Sequence, residues 1–191
     1  MIALCWNCRG LGNPRSVGVL RECVQRWDPK VVFLSEKKKN ITGMKRVKVK
    51  LDFVNGFYVQ RKGKGWGLAM FWRKEINLEI KSYSKHHIDA VIIEEATGFK
   101  WRITGLYVHL ETHQRKGLWS FLNTLNQQYQ LPWLCLGDFN EILLREEKLG
   151  GAPRPQQQRM PFAMWLTDVG SRTWDIGGLS THGSINRKGK T

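Results

Sequence analysis

The sequence predicts a layered α/β fold, and three observations support this. Near the N-terminus an apolar strand, Ile2–Trp6, is followed by a segment with helical spacing and then by a second buried strand, Val31–Leu34. This strand, helix, strand order opens layered α/β folds. In the middle of the chain, successive strand-like runs are joined by short turns that contain Gly or Asn, which predicts antiparallel pairing. Further on, a helix at Gln114–Gln128 precedes another buried strand, Leu131–Leu136.

Each element follows from its own residues. The first helix begins at Pro14 and stops before Asp28-Pro29, because proline is tolerated in a first helical turn but cannot continue a helix. The predicted antiparallel strands are Phe53–Gln60, Leu68–Trp72, Leu78–Tyr83, Ala90–Glu94 and Trp101–Tyr107. A last helix is predicted at about Gln156–Val169. Since neither a repeat nor a linker is recognisable, we expect residues 1–191 to form a single domain.

The composition indicates a folded, strongly basic protein. Apolar residues make up 41% of the chain and 9 residues are Trp, which excludes a disordered polyelectrolyte. Lys and Arg total 31 against 16 Asp and Glu, giving a net charge of +15. Such an excess favours a polyanionic partner, although a solvated basic surface is the alternative. The basic residues cluster, since seven of them fall in one acid-free stretch: Lys37, Lys38, Lys39, Lys45, Arg46, Lys48 and Lys50.

The cysteines and the hydropathy pattern favour an intracellular protein. Cys5 and Cys8 form a C-x-x-C pair, but Cys23 and Cys135 are isolated, so a zinc site is disfavoured. Reduced thiols inside apolar strands behave as small hydrophobic groups. No apolar stretch approaches the roughly 18 residues that cross a bilayer, and we recognise no secretory leader.

Polar side chains follow three of the predicted strands. Asn7 comes after the first strand, Glu36 after the second, and Asp138 with Asn140 after the late one, while Tyr107 ends the predicted strand Trp101–Tyr107. The ends of neighbouring strands line one rim in layered α/β proteins, so these residues could converge. Carboxylate and amide oxygens suit Mg²⁺ rather than zinc. Taken singly, each also has an ordinary structural explanation, namely a turn, a surface ion pair or, for Asn7, a helix cap.

Taken together, four motifs carry a resemblance. They are Trp6-Asn7-Cys8-Arg9-Gly10, Phe33-Leu34-Ser35-Glu36, Thr104-Gly105-Leu106-Tyr107 and Gly137-Asp138-Phe139-Asn140. This order resembles the endonuclease/exonuclease/phosphatase superfamily, which contains the apurinic endonucleases and DNase I. The segments Asn7 to Pro14, Ser84 to Asp89 and Leu131 to Leu143 are similar to the endonuclease domain of plant LINE-type non-LTR retrotransposons. The resemblance covers the whole chain.

The resemblance implies a fold and a set of roles. The fold would be a DNase I-like four-layer α/β sandwich, in which two mixed sheets pack face to face with helices outside. Glu36 would be the principal ligand of Mg²⁺, or alternatively Mn²⁺, with Asn7 beside it. Asp138 would orient the attacking water, Asn140 would position the scissile phosphate, and Tyr107 would donate a hydrogen bond to it.

The resemblance also implies DNA as partner, a nuclear location and a monomeric domain that does not bind membranes. The residues expected to contact DNA are basic and lie near the first two strand ends: Arg9, Lys37, Lys38, Lys39, Lys45 and Arg46. The histidines at 86, 87, 109 and 113 are interpreted as surface or strand-end polar residues.

The sequence also departs from the family pattern. Relatives complete the site with a Ser-Asp-His stretch and an Arg-Leu-Asp-Arg stretch, and neither occurs in these 191 residues. His182 follows Thr181 where relatives have Trp, so no catalytic role is assigned to it. We therefore expect a domain whose C-terminal segment is missing and whose second sheet is incomplete. Three functions remain open: a DNA-nicking endonuclease, a catalytically inactive nucleic-acid-binding remnant, or a phosphatase of the same superfamily.

Overall fold

The computed structural model describes residues 1–8, 11, 13–36, 40–60, 67–107, 112–138, 178–180 and 183–185. Its helices are α1 (Pro14–Trp27), α2 (Ile41–Lys50) and α3 (Thr112–Gln128). Its strands are β1 (Ala3–Cys8), β2 (Val31–Glu36), β3 (Asn55–Val59), β4 (Gly67–Trp72), β5 (Asn77–Ser84), β6 (His87–Ile93), β7 (Lys100–Tyr107), β8 (Trp133–Asp138), β9 (Gly178–Ser180) and β10 (Gly183–Ile185). Met1–Ile142 form one compact unit and Leu143–Thr191 form another, in which β9 and β10 pair antiparallel.

The first unit contains two mixed sheets. The first sheet has the order β1-β2-β4-β3, with β1 and β2 parallel and the other pairs antiparallel. The second sheet has the order β5-β6-β7-β8, with β7 and β8 parallel and the other pairs antiparallel. In each sheet, therefore, one edge strand (β1 or β8) is parallel to its neighbour, and the other neighbouring strands are antiparallel.

The two sheets pack face to face through one apolar core. The side chains of Phe33 and Met70 from the first sheet and of Ile88 and Ile103 from the second belong to this core and are fully buried. The sheets approach closely at Gly105, where an added Cβ would come within 2.2 Å of the Phe33 ring. A glycine at this position lets the phenyl ring lie directly against the backbone of β7.

Helices cover the outer faces of both sheets. On the first sheet, apolar residues of α1 and α2 form a second core with the buried Val32, Leu34, Ala69 and Phe71. On the second sheet, Phe121 of α3 packs its ring 4.5 Å from the ring of His87, centroid to centroid. Leu122 and Leu125 of α3 are also buried. The layers are therefore helix, sheet, sheet, helix, which confirms the predicted four-layer α/β sandwich.

One prediction of an individual element needs correction. Residues 41–50 were expected only as a basic stretch, but they form α2, which Asn40 caps by accepting a hydrogen bond from the backbone N–H of Gly43 at 2.9 Å. The helix expected at Gln156–Val169 lies outside the described residues. In the ranges that are described, no helix is both long and apolar enough to cross a membrane.

Candidate active site at the strand ends

One rim of the sandwich collects the C-terminal ends of β1, β2, β7 and β8. The turn Arg73–Ile76 connects β4 to β5 and so joins the two sheets at the opposite rim. Trp72 at the end of β4 pairs with Val31 at the start of β2, so β2 starts at that opposite rim. Because β5, β6 and β7 are successively antiparallel, β7 starts there too. The ends of β2 and β7, and those of their parallel partners β1 and β8, consequently share the other rim, which we call the C-terminal rim.

Asn7 and Glu36 lie side by side at this rim. Asn7 pairs with Ser35, and Cys8 pairs with Glu36, across the parallel strands β1 and β2. The hydroxyl of the buried Ser35 donates a hydrogen bond to the amide oxygen of Asn7 at 3.4 Å. Ser35 was not predicted as a site residue, because its closeness to Asn7 depends on a strand register that no local pattern reveals.

Asn7 is not the cap of the following helix. That position belongs to Asn13, whose side-chain oxygen accepts a hydrogen bond from the backbone N–H of Arg15 at 3.0 Å. Pro14 then occupies the first helical position, where its missing N–H costs nothing. The ordinary explanation for Asn7 is therefore wrong.

Tyr107 and Asp138 are direct neighbours in the other sheet. They pair in register across the parallel strands β7 and β8. Gly137, just before Asp138, has a φ of 152°, and a Cβ there would lie 2.0 Å from the carbonyl oxygen of Leu106. Glycine is thus needed for the two strands to approach at this point. Tyr107 is buried, and its backbone N–H donates to the carbonyl of His86 at 2.8 Å.

The two pairs belong to sheets that meet at this rim. Residues of β1 and of β2 come within 8 Å of residues of β8, Cα to Cα. The structure therefore places the backbones of Asn7, Glu36, Tyr107 and Asp138 at the ends of four strands on one rim. Lys45 and Arg46 are exposed on α2. The other predicted site residues lie outside the described residues: Arg9, Lys37, Lys38, Lys39 and Asn140.

Comparison with known proteins gives the family. The sequence matches the endonuclease/exonuclease/phosphatase family over residues 4–184. The chain belongs to this family. Its members are hydrolases that act on phosphodiesters or phosphate esters. No curated protein of similar sequence matches the chain.

Solved structures show the same fold at low sequence identity. A mannosyl-6-phosphatase from Bacteroides thetaiotaomicron superposes with a TM-score of 0.60 at 17% identity, covering 85% of this chain and 69% of its own. The human Nocturnin catalytic domain with bound sulfate gives 0.57 at 14% identity, covering 73% and 64%. Truncated TDP2 from Caenorhabditis elegans gives 0.52 at 16% identity, covering 79% and 65%. The chain thus spans about two thirds of the length of these structures.

The donor atoms at the C-terminal rim suit the metal chemistry of this family, whose enzymes generally use divalent metal ions such as Mg²⁺. The amide oxygen of Asn7 and the hydroxyl of Ser35 are hard oxygen donors, which Mg²⁺ prefers. Within the part of the chain that the structure describes, no three His, Cys, Asp or Glu residues cluster as a metal site.

A buried polar network lies behind the site, on the face of the second sheet that α3 covers. The guanidinium of Arg102 donates two hydrogen bonds to the carboxylate of Asp89, at 2.7 and 2.8 Å, and a third to the carbonyl of Leu125 in α3. Thr104 donates to the same carboxylate at 2.6 Å and accepts from the indole N–H of Trp133 at 2.7 Å. The network ties α3 to three strands of the sheet.

His87 extends this buried region to the C-terminal rim. It stands at a strand end, as predicted, but it is buried and not on the surface. The hydroxyls of Ser82 and Ser84 lie 3.0 Å and 2.8 Å from its two ring nitrogens. Burial, aided by the positive charge of Arg102 and opposed by Asp89, lowers the pKa of His87 to about 4. At neutral pH this imidazole is therefore uncharged and fixed between two serines.

Proposed function

We propose that this family member is a Mg²⁺-dependent endonuclease domain that nicks DNA, of the type found in plant LINE retrotransposons. The observation that carries the proposal is the meeting of Asn7, Glu36, Tyr107 and Asp138 at the ends of four strands on one rim. Oxygen donors, a phenol and a carboxylate are the groups that phosphodiester hydrolysis needs. The nuclear location expected of such a protein is part of the proposal.

Each residue has a defined role in this proposal. Glu36 and Asn7 would hold the Mg²⁺, whose positive charge would stabilise the negative charge that develops on the phosphate oxygens. Ser35 orients the Asn7 amide through its hydrogen bond. Asp138 aligns the attacking water with the phosphorus atom, and the Tyr107 hydroxyl donates a hydrogen bond to a non-bridging oxygen. Asn140 positions the scissile phosphate.

Charge supports DNA over a small phosphate ester as the substrate. A net charge of +15 attracts a polyanion far more strongly than a single phosphomonoester. Lys45 and Arg46, both exposed on α2, would contact phosphates together with Arg9 and Lys37 to Lys39. The motifs shared with LINE endonucleases point the same way.

A catalytically inactive DNA-binding domain is the second candidate. It would apply if this domain acts without the His that contacts the phosphate, which in relatives comes from a Ser-Asp-His stretch that does not occur within residues 1–191. Loss of one member of such a constellation commonly costs several powers of ten in rate. The two candidates therefore share a binding surface and differ only in turnover.

Nicking of supercoiled plasmid in Mg²⁺ separates the candidates. The endonuclease proposal predicts open circles that disappear with EDTA and with Glu36→Ala. Glu95→Ala is the matched control, because Glu95 is an exposed carboxylate in the turn between β6 and β7. Tyr107→Phe should slow nicking by roughly a hundredfold. Salt-sensitive DNA binding without nicking would establish the inactive domain, and hydrolysis of p-nitrophenyl phosphate without nicking would establish a phosphatase.

A further inference from the structure

The helical layer over the first sheet carries a positive surface of its own. There are three arginines in α1 and four basic residues in α2, and the only acid in the two helices is Glu22. These basic residues are Arg15, Arg21, Arg26, Lys45, Arg46, Lys48 and Lys50. All but Lys48, which is half-buried, are exposed.

This positive charge is not neutralised within the described part of the chain. The ion pairs found there use Lys30, Arg73, Lys81 and Arg102 as cations, and none uses a residue of α1 or α2. Lys48 is bound instead to the backbone carbonyl of Val54. The remaining cations of the layer thus face solvent with their charge intact.

A groove lined by residues of both helices carries two of these cations. It has a volume of about 400 Å³ and is lined by Pro14, Val17, Gly18, Arg21 and Lys50. We call it the helical groove. Its floor at Gly18 is open, since an added Cβ would meet no atom within 4 Å. Arg21 and Lys50 are its two cationic walls.

We propose that the helical groove binds the sugar–phosphate backbone of duplex DNA that flanks the phosphodiester held at the C-terminal rim. The inference rests on the proposed function, because it assumes that DNA occupies that rim. β1 ends at the rim with Cys8, and α1 begins only six residues later at Pro14. The groove therefore begins, along the sequence, a few residues after the rim, and it follows α1 away from the rim.

The dimensions and the lining select duplex DNA. From Pro14 to Arg21, α1 rises about 10 Å, which is roughly three base pairs of duplex. Among the described residues that line the groove none is aromatic, so they offer single-stranded bases nothing to stack on, whereas the cations Arg21 and Lys50 suit phosphates of a duplex backbone. Binding at this groove should accordingly be insensitive to sequence.

Gly18 allows a test that does not endanger the fold. Gly18→Glu and Gly18→Gln fit the open floor equally well, and both residues are better helix formers than glycine. Only the Glu variant places a negative charge in the groove. Affinity is measured by fluorescence anisotropy in EDTA, for a duplex of about 8 base pairs that fills the rim and for one of about 24 that extends beyond it.

For the long duplex, we expect Gly18→Glu to weaken binding by roughly tenfold at about 0.1 M salt, and Gly18→Gln to leave it unchanged. The double variant Arg21→Gln/Lys50→Gln should reduce the slope of log K against log salt by about 1.8, since each phosphate contact contributes about 0.9. The short duplex should respond to neither change. Lys74→Gln/Lys100→Gln, which removes two exposed lysines at the opposite rim, is the matched control.

The outcomes separate this inference from the proposed function. Three outcomes would overturn the inference. The groove variants could weaken binding of the short and long duplexes equally, or Gly18→Glu and Gly18→Gln could weaken it equally. The groove and control double variants could also lose the same affinity. Groove-dependent binding of single-stranded RNA without any effect on duplex would also overturn it. If the chain fails to nick DNA but binds the long duplex through the groove, the inference stands and catalysis alone is refuted. If the chain nicks DNA but the groove variants bind the long duplex as tightly as wild type, the proposed function stands and the inference is refuted.

Discussion

Acid should destabilise this protein through one buried imidazole. In the unfolded chain His87 binds a proton below about pH 6.5, whereas in the folded protein burial lowers its pKa to about 4. Between these values the unfolded state binds more protons than the folded state. The free energy of unfolding therefore falls as the pH falls through this window, and the full stability is present only above about pH 6.5.

The size of the effect follows from the two pKa values. A difference of about 2.5 pH units corresponds to roughly 3 kcal/mol, at about 1.36 kcal/mol per unit. At pH 5, where the folded imidazole is still neutral, the loss relative to pH 7 should be about 2 kcal/mol. That is a large share of the 5 to 15 kcal/mol, roughly, by which a domain is stable.

Urea unfolding at pH 7, 6, 5 and 4.5, followed by tryptophan fluorescence, measures the effect. His87→Gln is the comparison, because its amide can bond to Ser82 and Ser84 but does not titrate. Wild type should lose about 2 kcal/mol more than the variant between pH 7 and pH 5. Parallel pH profiles for the two proteins would refute the reasoning, since the loss would then come from other groups.

Three further predictions concern packing and the buried network. Asp89→Asn should lower the free energy of unfolding by roughly 3 to 5 kcal/mol, because it leaves the buried Arg102 without its counter-ion; Asp89→Asn/Arg102→Met should recover part of the loss in a urea double-mutant cycle. Gly105→Ala should lower the melting temperature, at a cost of about 1 to 3 kcal/mol, because the new methyl group meets a buried phenyl ring. Gly18→Ala should raise the melting temperature, because it removes glycine from an open helical position. The opposite order of melting temperatures would contradict the close approach of the sheets. Tyr58→Phe should leave the free energy of unfolding unchanged or raise it by up to about 1 kcal/mol, because the buried hydroxyl has no partner among the described residues; a loss above about 1 kcal/mol in urea would show that this hydroxyl is bonded.

The fold was predictable because its signals are local. The strand of apolar residues, the Pro14 start and the Asp28-Pro29 stop of α1 each depend on a few adjacent residues. Helix α2 was missed for an equally physical reason. Its buried face consists of little more than Met44 and Val47, and Gly43 with four β-branched residues lowers its intrinsic helix propensity.

The site was predictable only as a set of strand ends. Asn7, Glu36 and Asp138 stand out because polar residues interrupt apolar runs. Ser35 was not predictable because its contact with Asn7 depends on the register of β1 against β2. The network behind the site was not predictable either, since strand β6 is buried on both faces and shows no alternation. Which buried polar groups meet depends on the register of β6 against β7, and no single segment carries that information.

The turn Arg73–Ile76 has a consequence for how the protein folds. It divides the first unit into two consecutive halves, each of which builds one sheet, and each sheet supplies two of the four site positions. Either half can form its own pairings first, but the rim exists only once the halves have docked. Docking relies on the flat contact between Phe33 and Gly105. The proposed metal ligands Asn7 and Glu36 both lie in the first sheet, whereas a phosphodiester at the rim would also contact Tyr107 and Asp138 of the second, so substrate binding would stabilise the docked state specifically.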